Sequence, residues 1–357
     1  MVPDRFSAYR RHEPVHWHAP SRAFLVTRYD DVGGLLLDSR LTSQTLDDRL
    51  DELAGLDREQ RAALSEFFSG WLSLTDGARH RELRSRITPL LTPSRLTPWA
   101  AFFDDEARKW VERMDRARVE DTFARPYAAA VVGSVLGLAP DETRPALRAV
   151  GRLVRVLGPA DVGAREAREA ADALRTMTTL AERVRVRSPS EGQPSSLLHG
   201  SGLPAGLHVA FFVQLVAGGY DPLARCLTTY LSTAHPAAAQ ASDTLLDEVF
   251  RLCGPFDLLP RVAAEPLEVG GCQVAAGSRV LLAIASANRD EARFPDAGQL
   301  RPGRSARHAS FGHGRHRCPA SGLARLAVAA ALSALAAESE RSGAARSNLE
   351  SPSKEGI

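Results

Sequence analysis

The sequence predicts a mostly helical fold with a small β portion. Apolar residues recur three and four positions apart through most of residues 47–180, as at Val131, Val132, Val135 and Leu136, which is the spacing of one helix face. Beyond Pro255 the period changes, and short apolar or β-branched runs alternate with Gly-rich turns. Hydrophobic residues make up 44% of the 357-residue chain and charged residues 25%, enough apolar material for a sizeable core.

Taken in order, Phe24-Leu25-Val26-Thr27 reads as a strand, and Asp30-Asp31-Val32 opens a helix carrying Leu35, Leu36 and Leu37. Turn residues punctuate the helical stretch at Thr75-Asp76-Gly77, Thr92-Pro93-Ser94 and Ala139-Pro140-Asp141. Residues 188–204 are rich in Ser, Gly and Pro and read as a loop. A long apolar helix is expected over 205–232, and another begins near Ser242-Asp243, both good capping residues. Leu267-Glu268-Val269 and Arg279-Val280-Leu281-Leu282-Ala283 read as strands. A looped segment covers 288–318, and a last helix covers about 323–338. The expected organisation is a single domain over 1–338 and a polar, disordered tail over 339–357.

The formal net charge of +2 gives no bulk reason to expect a nucleic-acid partner. The N-terminus lacks the apolar core of a signal peptide. The longest apolar stretch, Val209 to Gly219 with Gln214 inside it, is too short to span a bilayer. A soluble cytoplasmic chain with no membrane partner is therefore expected. Cys226, Cys253, Cys272 and Cys318 show no C-x-x-C pair, and cytoplasmic thiols stay reduced. Each cysteine is then judged on its own chemistry.

The densest chemistry lies in Phe311-Gly312-His313-Gly314-Arg315-His316-Arg317-Cys318-Pro319, just before the last helix. A metal-ligating thiolate needs dry surroundings, with backbone N–H groups and a helix N-terminus to hold its charge. Glycines before it let the backbone turn tightly. Phe311 can shield the sulfur, and cationic neighbours can neutralise the acidic groups of a cofactor. By residue type alone, His308, His313, His316 and Cys318 could instead form a zinc site, or the cysteine could be inert core.

Phe311, Gly312, Gly314, His316 and Cys318 fill every defined position of the pattern F-G-x-G-x-H-x-C. On these residues the chain resembles the bacterial cytochrome P-450 family. The resemblance implies the cytochrome P-450 fold and haem b (iron protoporphyrin IX), with Cys318 as the iron ligand. Phe311, Gly312, Gly314 and His316 become further cofactor-binding residues. Other segments match in the family's order. Glu248-Val249-Phe250-Arg251 has the E-x-x-R spacing, and Arg304 is the implied third member of a structural triad. Thr75 to Arg84 is similar to the D-P-P-x-H-x-x-x-R region, which implies that His80 and Arg84 bind haem propionates; Arg261 is implied as another such arginine. Ala287-Asn288-Arg289-Asp290 and Phe294-Pro295-Asp296 resemble the A-N-R-D and F-P-D segments. The resemblance covers about residues 5–338, and the joint occurrence of these segments removes most of the weight from zinc.

In the long apolar helix, Val216-Ala217-Gly218-Gly219-Tyr220-Asp221-Pro222 corresponds to the family's [AG]-G-x-[DE]-T. Gly219 and Asp221 are the catalytic candidates there, beside Cys318. Pro222 stands where the family has threonine; it offers no hydroxyl and removes a helix hydrogen bond. Ala320 replaces the usual glycine after Cys-Pro, and the polar stretch from Ser339 stands where a C-terminal β-hairpin is expected.

The implied activity is an O2-activating monooxygenase or coupling oxidase of bacterial secondary metabolism, acting on a small-molecule or peptide-like substrate, with a large or tethered one such as a peptide expected. Electrons would come from NAD(P)H through ferredoxin reductase and ferredoxin, docking near Arg315 and Arg317. Two alternatives rest on Pro222: a catalytically silent binding module, and a peroxide-using peroxygenase.

Overall fold

A computed structural model describes residues 4–43, 50, 53–158, 162–187, 194–233 and 241–349, with the side chains of the last helix described to residue 342. Parts of the expected 188–204 loop and of the expected C-terminal tail lie outside these residues.

The β portion is a five-stranded sheet in the order β1-β2-β7-β4-β3. The strands are β1 (Val15–His18), β2 (Ala23–Val26), β3 (Leu41–Thr42), β4 (Leu259–Ala263) and β7 (Arg279–Leu282). Only β2 and β7 run parallel; the other pairs are antiparallel. The sheet joins residues 15–42 to residues 259–282, which period-2 patterning over so few residues does not reveal. β5 (Leu267–Val269) and β6 (Cys272–Val274) form a separate hairpin. Its turn residues Gly270 and Gly271 both have positive φ (56° and 78°), as a tight two-residue hairpin turn requires.

The helices are α1 (Ser7–His12), α2 (Tyr29–Leu37), α3 (Arg58–Phe68), α4 (Gly77–Ile87), α5 (Trp99–Val111), α6 (Arg125–Leu136), α7 (Pro140–Arg155), α8 (Ala164–Arg185), α9 (Ala205–Ser232), α10 (Asp243–Cys253) and α11 (Ser321–Leu349), with a few shorter turns between them. α6 stops at Gly137 (φ 74°), where the N–H of Leu138 reaches back to the carbonyl of Gly133 at 2.8 Å and closes the helix end. α7 has Pro140 in its first turn, and α10 is capped by the hydroxyl of Ser242, which accepts from the N–H of Leu245 at 3.2 Å. α9 is buried all round from Leu207 to Val213, as expected of a helix apolar on every face, and it runs on unbroken through Pro222.

α11 extends past the end expected at Glu338 and remains helical to Leu349, across the start of the expected tail. Among the described residues no strand follows it. Ser321–Ser342 is long and apolar enough by composition to cross a membrane; Ala327, Val328, Ala331 and Leu332 pack part of its surface into the protein core. The helices share one large apolar cluster, and the sheet with α2 forms a second. The cysteine loop lies between α2, α4, α10 and α11.

Candidate active site at the cysteine loop

Backbone geometry shapes the loop first. Gly312 and Gly314 have φ of 68° and 65°, a region that favours glycine. At Gly314 a Cβ would also sit 2.7 Å from Leu37 Cδ2, so the end of α2 packs directly on the loop. The N–H of Cys318 donates to the carbonyl of Phe311 at 2.8 Å, and that of Gly312 to Ala309 at 2.8 Å. The loop is thus closed before α11 begins.

Three groups of side chains then fix the loop from outside. Asn288 Oδ1 accepts from the N–H of Ala309 at 2.7 Å, and its Nδ2 donates to Ser310 Oγ at 2.7 Å. Ser310 in turn donates to the carbonyl of Phe250 at 2.6 Å. Phe311 packs on the Phe250 ring at 4.7 Å. Phe250 belongs to α10, which also carries the expected triad. Glu248 receives Arg251 at 2.7 and 2.9 Å, and Arg304 Nε lies 3.0 Å away. That last contact is a close ion pair whose N–H is not aligned as a hydrogen bond. Arg251 also donates to the carbonyls of Asn288, Ala297 and Gln299, so the triad ties α10 to the segment leading into the loop.

The third group centres on Asp76, at the N-terminus of α4. Its carboxylate accepts from His316 Nε2 at 2.7 Å, Arg315 Nε at 3.1 Å, Thr42 Oγ1 at 2.8 Å and the N–H of Ser43 at 2.5 Å. Burial alone would raise its pKa; the donors outweigh burial and hold it well below the usual carboxylate range. One turn on, the His80 ring lies against that of His316, with centroids 4.4 Å apart. Burial, then the His316 and Arg84 charges, push His80 down to about 4. Its buried Nε2 has no hydrogen-bond partner. Arg84 donates to the carbonyls of Arg315 and Arg317 at 3.1 and 2.8 Å.

Cys318 is half-buried and unpaired. Burial pushes its thiol up, while the N–H of Ala320 and the charges of Arg84 and Arg317 act in the opposite sense. These are the N–H and cationic contacts that a thiolate needs. Arg261, on β4, is half-buried; its guanidinium donates to the adjacent Pro260 carbonyl at 2.7 Å, and it feels both Asp76 and Arg315.

The structure therefore brings together Phe311, Gly312, Gly314, His316, Cys318, His80 and Arg84, with Arg261 beside them. Gly219 and Asp221 stand in another neighbourhood. Gly219 faces α6, where a Cβ would lie 3.0 Å from Val132 Cγ2. Asp221 is 71% exposed and pairs with Arg125 at 3.0 Å. The zinc arrangement does not assemble: His308 packs on Phe250, His316 is held by Asp76, and no three potential ligands cluster among the described residues. Asp76, Asn288 and Ser310 are the working residues that sequence reading missed as such; Asp76 and Asn288 stand inside quoted motifs, but nothing in the pattern says what they hold.

The family profile described as cytochrome P450 matches residues 242–336, which hold the triad and the cysteine loop. Mycinamicin IV hydroxylase/epoxidase of Micromonospora griseorubida is 28% identical over 93% of this chain and 86% of its own length. The chain belongs to the cytochrome P450 family. Among solved structures, this P450 is similar to that of CalO2 (TM-score 0.79, 24% identity, 93% of this chain and 86% of that one). It is also similar to P450BioI in complex with an acyl carrier protein ligated to hexadec-9Z-enoic acid (TM-score 0.77, 20% identity, 92% and 89% covered).

Membership makes the chain a cytochrome P450 monooxygenase, with haem b as cofactor, O2 as co-substrate and electrons supplied by redox partners. The residues at the loop fit that group. The orphaned Nε2 of His80 and the side chains of Arg84, Arg261 and Arg317 offer donors and positive charge for the propionates, beside a cysteine whose sulfur already faces a backbone N–H. His316 and Arg84 are engaged with protein partners, so His80 and Arg261 have the more open donors.

Proposed function

We propose that this P450 hydroxylates or oxidatively couples a large organic substrate, macrocyclic or carried as a peptide or acyl chain on a carrier protein. The observation that carries the oxidative chemistry is the cysteine loop, because it holds Cys318 against the Ala320 N–H between Arg84 and Arg317. Haem, when bound, would supply the oxidising chemistry. Cys318 would hold its iron. His80 and Arg261 would hold the propionates with their more open donors, Arg84 and His316 would support them from their places against the loop carbonyls and Asp76, and Phe311, Gly312 and Gly314 would shape and cover the sulfur side. Gly219 gives the α9 backbone room for close approach. Asp221 moves protons in from water through its carboxylate, held by Arg125.

The likeness to a mycinamicin hydroxylase/epoxidase and to a carrier-bound P450 supports the substrate class. Ferredoxin, reduced by ferredoxin reductase, is the proposed electron donor, with exposed Arg317 at the docking face. Arg315 is less available there, because it pairs with Asp76 and donates to the carbonyl of Leu41 at 2.7 Å.

Spectral titration tests the substrate class. A macrolide such as mycinamicin IV, or a carrier-bound acyl or peptidyl chain, should shift the Soret band. A shift with a monoterpene alone would overturn the proposal. Pro222 favours a second reading, turnover by peroxide without ferredoxin, because peroxide already carries its protons. Product formed with hydrogen peroxide but not with reduced ferredoxin would select it.

A further inference from the structure

A cavity of about 1050 Å³ is bounded by α5, α6, α7, α8 and α9, and none of its lining comes from the cysteine loop or α4. Its apolar wall includes Phe102, Trp110, Leu138 and Leu147. Most of its charges are matched. Lys109 pairs with Glu106 at 3.1 Å, Arg125 with Asp221 at 3.0 Å, and Arg187 with Glu142 at 2.7 and 2.8 Å. Asp121 pairs with Arg118 at 3.2 Å. Arg144 and Arg148 differ. They stand four apart on α7, on one helix face, and line the same cavity with no acidic partner among the described residues. Two unmatched guanidiniums beside an aromatic and aliphatic wall select a ligand that is both anionic and apolar.

We propose that this cavity binds an amphipathic organic anion, with a carboxylate or phosphate head at Arg144 and Arg148 and an apolar body against Phe102, Trp110 and Leu147. The site is separate from the cysteine loop. Its wall includes Tyr220 and Asp221 of α9, so a bound anion lies against the turn that carries the proposed proton-handling carboxylate. A free fatty acid and a phosphate ester with an acyl tail present the same chemistry.

Laurate is the probe, with 1-dodecanol and dodecyltrimethylammonium as neutral and cationic controls of equal chain length, and dodecyl phosphate as the second anion. Binding to the holoenzyme is read by calorimetry and by quenching of Trp110. A Soret shift separately reports any laurate that enters the haem pocket. Both anions should quench, the controls should not, and Trp110→Phe should abolish the signal. Arg144→Glu with Arg148→Glu should weaken the quenching-linked affinity at least tenfold while the Soret band and circular dichroism stay as in the parent. Quenching that survives Trp110→Phe, equal binding of dodecanol, or unchanged affinity in the charge-reversed protein would overturn the site. Laurate that shifts only the Soret band would place the acid in the haem pocket alone and overturn it equally. A preference for dodecyl phosphate would identify phosphate esters as the source, and a preference for laurate free acids.

Discussion

The cysteine loop and the Gly218–Pro222 turn of α9 are both parts of one proposed active site, and they are built in opposite ways. The loop is held from several directions: Asn288 grips Ala309 and Ser310, Asp76 grips His316 and Arg315, and Arg84 grips two loop carbonyls. At the turn, Arg125 of α6 reaches both the Asp221 carboxylate at 3.0 Å and the Tyr220 ring at 5.8 Å, and the Asp221 side chain is open to solvent. A position fixed by many internal partners tolerates little change. A turn with few internal partners can depart from the family pattern, as Pro222 does, while α9 runs on unbroken.

The largest expected effect is at the base of the loop. Glu248→Ala leaves Arg251 and Arg304 buried without their counter-charge and should destabilise the protein by about 3–5 kcal/mol, read by urea unfolding. A loss below about 1 kcal/mol would break the claim that the triad anchors this region. Next comes Asp76→Ala, which strands the His316 and Arg315 donors and should cost about 1–3 kcal/mol. It should also hasten haem transfer to apomyoglobin. Unchanged transfer would mean that Asp76 supports α4 and β3 but not the cofactor side.

A third test is acid stability. Burial, against the pull of Asp247, pushes His308 down to about 4, with Arg325 and His313 adding to the shift, from an ordinary 6.5. The unfolded chain therefore takes up that proton first. Stability is full above about 6.5 and falls as pH drops towards 4, where the folded form also protonates. His80 acts in the same direction, also to about 4. His308→Asn should flatten the slope of unfolding free energy between these limits; an unchanged slope would remove His308 as a contributor. The smallest effect on folding is at the turn. Asp221→Asn should move stability by no more than about 0.5 kcal/mol, since the carboxylate is 71% exposed. It should still slow turnover and enlarge the solvent isotope effect. Loss of neither would make Asp221 a surface residue and sharpen the contrast with the loop.

The loop was legible in the sequence because backbone geometry demands particular residues there. Gly312 and Gly314 occupy positive φ, Glu248 and Arg251 face each other one helical turn apart, and Phe311 packs on Phe250. Asp76 was not legible as an anchor, because its loop partners Arg315 and His316 lie more than two hundred residues away and no local pattern records a long-range contact. The sheet joining β2 to β7 was hidden for the same reason, and the neighbourhoods of Gly219 and Asp221 depend on how α6 packs on α9. Arg144 and Arg148, both exposed, read as an ordinary basic helix face until α5 and α9 are seen to line a cavity beside them.

The carbon monoxide difference spectrum of the reduced protein tests the central claim most directly, with Cys318→Ala beside it. A strongly red-shifted Soret band is expected in the parent protein and its loss in the variant, as required if the Cys318 thiolate is the iron ligand. A well-folded parent protein that binds no haem, or a red-shifted band that persists in Cys318→Ala, would contradict it.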